Sequence, residues 1–122
     1  MLTLKQDHSE LVVLSVLAIG PSYGYAISKA IATQSDGYFK LLPSAMYPLL
    51  TKLEKNGLVT TSWEEVKAAG ADPDSTGRRR KWYTLSPKGH KQLARRIELH
   101  RQTQSIIDGF VAQAPENQLA SG

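Results

Sequence analysis

A chain of 122 residues, 41% hydrophobic and 21% charged, has the size and composition of one globular domain with its own core. It has no cysteine, which excludes disulfides and thiolate metal sites. Net charge is +4, but residues 78–122 carry nine Lys/Arg against three Asp/Glu, a basic excess that suits either a polyanionic partner or a solvated helix face.

The first element is read from Asp7 and Glu10, spaced as a capping box ahead of the apolar run Leu11 to Ile19. Gly20-Pro21 supplies the stop, so a helix is expected over roughly His8 to Ile19, apolar on nearly every side and buried. That run falls well short of the roughly 18 residues a bilayer span needs. Asp7, His8 and Glu10 stand where a signal peptide would carry positive charge. No membrane partner and a cytoplasmic location are therefore expected.

Ser22 can cap a second helix running to about Thr33, with Tyr23, Ile27 and Ile31 on one face and Gln34-Ser35-Asp36-Gly37 ending it. A third helix is expected from Ser44 as N-cap to a stop at Gly57. Met46, Leu49, Leu50 and Leu53 recur at helical spacing and form its apolar face. Ser44, Pro48, Thr51, Lys52 and Lys55 fall on the opposite side, and Tyr47 lies on the flank, either at the edge of the core or toward a ligand. Pro48 is tolerated because it falls near the first turn.

Leu58 to Trp63 reads as a strand, Lys67 to Gly77 as a loop, and Arg80 to Leu85 as a returning strand. In the second strand Tyr83 and Leu85 point one way and Arg80, Trp82 and Thr84 the other. Trp63 and Trp82 are read as a cross-strand packing pair, with a ligand platform as the sharper alternative. Ser86-Pro87 starts a last helix that runs to about Gln113. Leu93, Ile97, Ile107 and Val111 form one stripe on it, and Leu99, Ile106 and Phe110 an adjacent one. So apolar a helix cannot cover itself, which calls for a second subunit. Residues 114–122 show no periodicity and read as a frayed tail.

The expected fold is mainly α with a small β-hairpin: a winged helix-turn-helix over residues 1–86, a C-terminal dimerisation helix over 87–113, and the tail. In that arrangement the third helix enters the major groove and the hairpin touches the neighbouring backbone. Lys52, Lys55, Arg78, Arg79, Arg80 and Lys81 can meet phosphates, while Ser44, Tyr47 and Thr51 offer hydroxyls to phosphates or base edges. None of these gives the bidentate Arg–guanine or Asn–adenine contact, so shape and dimer spacing are expected to supply part of the specificity. A winged-helix protein–protein adaptor is the alternative, disfavoured by Lys52 and Lys55; RNA binding lacks a stacking surface.

No enzyme and no cofactor are expected, because no Gly-rich phosphate loop, nucleophile elbow or H-E-x-x-H pattern occurs. His8, His90 and His100 lack metal-ligand spacing, and a calcium loop begun at Asp72 would place Tyr83 where a bidentate Glu belongs.

Three segments carry a family resemblance: Ala18-Ile-Gly-Pro-Ser-Tyr-Gly-Tyr25, Ser44-Ala-Met-Tyr-Pro-Leu-Leu-Thr-Lys-Leu-Glu-Lys-Asn-Gly-Leu-Val59, and Arg79-Arg-Lys-Trp-Tyr-Thr-Leu-Ser-Pro-Lys-Gly89. In this order they resemble the PadR family of transcriptional regulators, over about residues 10 to 112. The resemblance implies a homodimeric repressor with double-stranded DNA as partner. It implies DNA contacts at Tyr47 and the wing arginines, beside which Pro48 of the outer face is a further candidate, and a dimer built by the first and last helices, for which Leu11, Leu14, Leu93, Ile97, Ile106, Ile107, Phe110 and Val111 are the candidate residues. The short last helix is similar to that of the compact branch, with no separate effector domain. It carries no tryptophan of the kind some drug-sensing relatives use to stack flat ligands, so any small-molecule effector is left without a chemical identity.

Overall fold

The computed structural model describes residues 6–65, 75–76 and 79–115. Its elements are α1 (Gln6–Ile19), β1 (Ser22–Tyr23), α2 (Gly24–Gln34), α3 (Pro43–Lys55), β2 (Val59–Glu65), β3 (Ser75–Thr76), β4 (Arg79–Leu85) and α4 (Pro87–Val111). This is a winged helix-turn-helix followed by a long helix, mainly α as the sequence predicts. Among the described residues no helix is long and apolar enough to cross a membrane.

One core holds the helices together. Val13, Leu14 and Leu17 of α1 meet Ile27 and Ile31 of α2 and Met46, Leu49, Leu50 and Leu53 of α3. Leu58, Val59, Tyr83 and Leu85 close it from the hairpin and Leu93 from α4. Each position follows from side-chain periodicity, about 3.6 in the helices and 2 in β4. Burying so many branched side chains is the main favourable term of the fold.

Helix starts depart from the sequence reading in three places. Asp7 lies inside α1, and Glu10 sends its carboxylate to Lys52 and Arg96, away from the capping box expected of it. Ser22 belongs to β1, where it stands opposite Tyr83, and the N-cap of α2 is Tyr23. Leu42 is the N-cap of α3, which leaves Ser44 in the first turn. There the carbonyl of Leu42 accepts from the amides of Ala45 and Met46, and Pro43 suits the first helical position because it has no amide hydrogen to satisfy.

The other ends follow the signals. Gly57 adopts φ +75°, and the Leu58 amide donates to the Leu53 carbonyl at 2.9 Å while the Gly57 amide donates to Glu54 at 3.0 Å. This Schellman turn needs a residue without Cβ strain at that φ. Ser86 caps α4 by accepting from the Gly89 amide at 2.9 Å.

β4 is the central strand. β2 pairs along one edge from Val59 opposite Leu85 to Glu65 opposite Arg79. β1 and β3 pair with it as well, β3 through Ser75 opposite Arg80 and Thr76 opposite Arg79. Ser75 and Thr76 are thus strand where the composition reads as loop; cross-strand pairing overrides local propensity. Trp63 faces Lys81, and Trp82 faces Ser62, so the two indoles lie on opposite faces of the sheet and form no pair. The register, one residue away from a Trp–Trp match, decides this.

α1 is less enclosed than its composition suggests. Val12, Val16 and Ile19 line an open apolar groove of about 410 Å³ with Ile31 and Phe39, and Ile19 is 87% exposed. The second half of α4 is exposed too, including Leu99, Ile106, Ile107, Phe110 and Val111. Of the residues expected between subunits, Leu14 and Leu93 are buried in the chain's own core, Leu14 completely and Leu93 with little surface left for a partner. Ala114 and Pro115 are described and exposed, and the rest of the expected tail lies outside the described residues.

Candidate nucleic-acid interface

α3 is anchored by one face and bare on the other. Met46, Leu49, Leu50 and Leu53 are buried, and half a turn away Ser44, Pro48, Thr51 and Lys55 are exposed in a row. Pro48 has no amide hydrogen for the Ser44 carbonyl, so that carbonyl joins the hydroxyls of Ser44 and Thr51 as a polar group on the outer side. Lys55, in the last turn, completes the row with a cation that has no ion pair among the described residues.

Tyr47 lies on the flank, half-buried, with its ring against the backbone of α2. A Cβ added at Gly24 would stand 2.7 Å from the Tyr47 hydroxyl oxygen. This is the core-edge packing that the sequence left as one alternative, and it confines the side chain to a narrow slot beside the exposed row.

Lys52 is on the opposite flank and does not stand in the row as the helical wheel places it. Its Nζ sits 3.0 Å from Glu10 Oε2, while Arg96 of α4 reaches Glu10 Oε1 at 2.8 Å. The Glu10 side chain is 7% exposed. Burial pushes its carboxyl pKa up, but the hydrogen bonds and charges of Lys52 and Arg96 outweigh it and hold the group below the usual carboxylate range. One acidic residue thus ties α1, α3 and α4 together.

The hairpin presents its basic residues in alternation. Arg79 is exposed and lies over the Trp63 ring at 4.6 Å. Arg80 points to the other face, over the Tyr23 ring at 4.1 Å and 3.6 Å from Glu64. Lys81 turns back to α3, 3.2 Å from Glu54, whose second carboxylate oxygen accepts from Thr61 at 2.9 Å. The Thr61 hydrogen bond chiefly, with help from Lys81, keeps the Glu54 carboxyl below its usual range. Arg80 and Lys81, both expected on phosphate, are therefore engaged inside the protein, because alternate residues of a strand face opposite ways and each finds an acid. Arg78 lies outside the described residues.

Two cations went unmarked in the sequence reading. Lys29 of α2 and Lys40, just before the Leu42 cap, are exposed around a shallow depression with Tyr25 and Leu42 at the N-terminal end of α3. Their signal was available: they are two of only six basic residues in the first 77. Among the described residues no three His, Cys, Asp or Glu side chains come together as a metal site.

Comparison with known proteins agrees with this geometry. Residues 13–95 match the sequence profile of the "Transcriptional regulator PadR-like family". A transcriptional regulator of Clostridium thermocellum superposes with a TM-score of 0.74 at 29% identity, over 87% of this chain and 95% of that one. A Streptococcus mutans protein gives the same TM-score, 0.74, at 30% identity over 92% and 93%. The Escherichia coli transcriptional regulator YqjI is 37% identical over 60 residues, which cover 48% of this chain but only 29% of the E. coli protein.

Proposed function

The chain belongs to the PadR-like family of transcriptional regulators, and we propose that it represses transcription as a homodimer on a palindromic operator, with α3 of each copy in the major groove. The observation that carries this reading is the row Ser44, Pro48, Thr51 and Lys55, small, polar or basic, on a helix whose other side is locked in the core. A helix held so firmly from behind can enter a groove as a rigid body, with hydroxyls and one ammonium at its surface. Arg79 on the hairpin, and Lys29 and Lys40 beside the start of α3, add cations for the flanking phosphates. None of these residues is suited to bidentate base reading, so operator shape and half-site spacing carry part of the specificity.

Dimerisation is supported by two apolar surfaces left uncovered among the described residues. The outer half of α4 exposes Leu99, Ile106, Ile107, Phe110 and Val111, and the groove on α1 and α2 exposes Ile19 beside the half-buried Val12 and Val16. A second copy can bury both kinds of surface at once, since a twofold interface repeats every contact. Twofold symmetry in the protein calls for twofold symmetry in the site, with half-sites about one or two helical turns apart.

Selection of bound fragments from the source genome, in excess bulk competitor DNA, tests the reading. Recovery of a palindromic sequence upstream of a coding region is the expected result. Recovery of no fragment above background overturns it.

A further inference from the structure

The basic residues around the recognition face differ in how free they are to reach phosphate. Lys55 and Arg79 stand without an ion pair among the described residues, whereas Lys81 is held by Glu54 and Lys52 by Glu10. The Lys52 pair is the unusual one. Its ammonium is on a side chain 49% exposed, yet the carboxylate holding it is 7% exposed. A carboxylate that deep has little water to replace a lost partner, so drawing Lys52 away would leave it with Arg96 alone. Glu10 cannot follow, because Val13, Leu14 and Leu17 fix α1 in the core. Lys52 itself follows Thr51 directly, at the edge of the exposed row, where a released ammonium would reach a backbone lying along α3.

We infer that Glu10 is a positioning residue that withholds Lys52 from the DNA backbone and so raises the share of binding that depends on sequence. The inference rests on the DNA-binding reading above. Each cation that neutralises a phosphate adds about 0.9 to the slope of log affinity against log salt, and that attraction is the same for every sequence. Holding Lys52 back subtracts it from operator and bulk DNA alike. What remains is weighted toward the contacts of Ser44, Pro48 and Thr51, whose geometry depends on the bases and their shape.

The test uses the full chain and a duplex of arbitrary sequence, titrated at several KCl concentrations. The proteins compared are wild type, Lys52→Met, Glu10→Gln, and the double variant. Lys52→Met alone is expected to leave the salt slope unchanged, because its charge is already spent on Glu10. Glu10→Gln is expected to tighten binding and steepen the slope by about one per chain, and adding Lys52→Met should restore the wild-type slope. A Glu10 with a purely structural role would change affinity without changing the slope, and that result overturns the inference. Should Glu10→Gln fail to fold, Lys52→Met still decides, since a slope flattened by about one would place Lys52 on phosphate already. Failure of the wild type to bind any duplex removes the DNA-binding reading itself, and is distinguished from these outcomes by the first titration.

Discussion

Gly89 lies against the carbonyl of Leu58 so closely that a Cβ at position 89 would collide with that oxygen. The same carbonyl accepts from the Ser86 amide at 3.0 Å, and the Ser86 hydroxyl donates to the Gly57 carbonyl at 2.6 Å. The end of α3, the start of β2 and the start of α4 are thus joined at a point where backbone touches backbone. Because the obstacle is main chain, it cannot swing aside. Gly89→Ala is expected to destabilise the protein by about 1–3 kcal/mol, as overpacking of a tight site does. Ser86→Ala should cost about 1–2 kcal/mol through the lost cap. Chemical denaturation checks both; a Gly89→Ala protein as stable as wild type would contradict the packing described.

The two faces of α3 should separate stability from binding. Leu50 has no exposed surface, and Leu50→Ala is expected to lose about 2–5 kcal/mol, enough to unfold a marginal domain. Thr51→Ala, one residue on, should stay within about 0.5 kcal/mol of wild type while weakening operator binding. Denaturation curves and gel shifts on the same two proteins test this; operator affinity retained by Thr51→Ala would remove it from the interface.

Neighbouring arginines of β4 should behave differently. Arg79 is exposed, so Arg79→Ala is expected to weaken all duplexes alike and flatten the salt slope by about 0.9 per chain. Arg80 is packed on Tyr23 and beside Glu64, so Arg80→Ala should lower the melting temperature more than it changes the slope. Equal slope changes for the two would mean that Arg80 leaves Tyr23 when DNA arrives.

Acid should weaken the fold through Glu10. Its folded pKa lies below the usual value of 4.5, so the ionised form is favoured by folding. The stabilisation is complete above the unfolded pKa and is lost as pH falls below 4.5 through the folded value. The difference in melting temperature between wild type and Glu10→Gln is therefore expected to shrink on acidification across that window. Subtraction of the two curves cancels groups common to both proteins, and a difference independent of pH would show that the Glu10 charge contributes nothing.

Phe110 is 72% exposed at the far end of α4. If a second copy covers it, Phe110→Asp should give a folded monomer, because no core contact of the chain is lost. Sedimentation of wild type and variant over a range of concentrations checks this. An unchanged dimer would place the interface elsewhere, and a monomeric wild type would remove the homodimer from the proposed function.

The sequence by itself determined the four helices, the two long strands of the hairpin and their order, though not β1 or β3. The spacing of Met46, Leu49, Leu50 and Leu53 fixes the buried face of α3, Gly57 its end, and Ser86-Pro87 the start of α4, because each is a local rule of periodicity or capping. It also left Ser44, Thr51 and Lys55 on the outside, since an exposed face is what remains once the apolar face is assigned. Tertiary structure alone decided which cations remain available. Lys52 meets Glu10 across 42 residues and Arg96 meets it across 86, while Lys81 meets Glu54 across 27. A charge pair depends on distance in space, and no pattern within one element encodes the approach of another. The same holds for Trp63 and Trp82, which a one-residue difference in register sends to opposite faces, and for Leu14 and Leu93, whose apolar character fits a core and an interface equally well until the chain is packed.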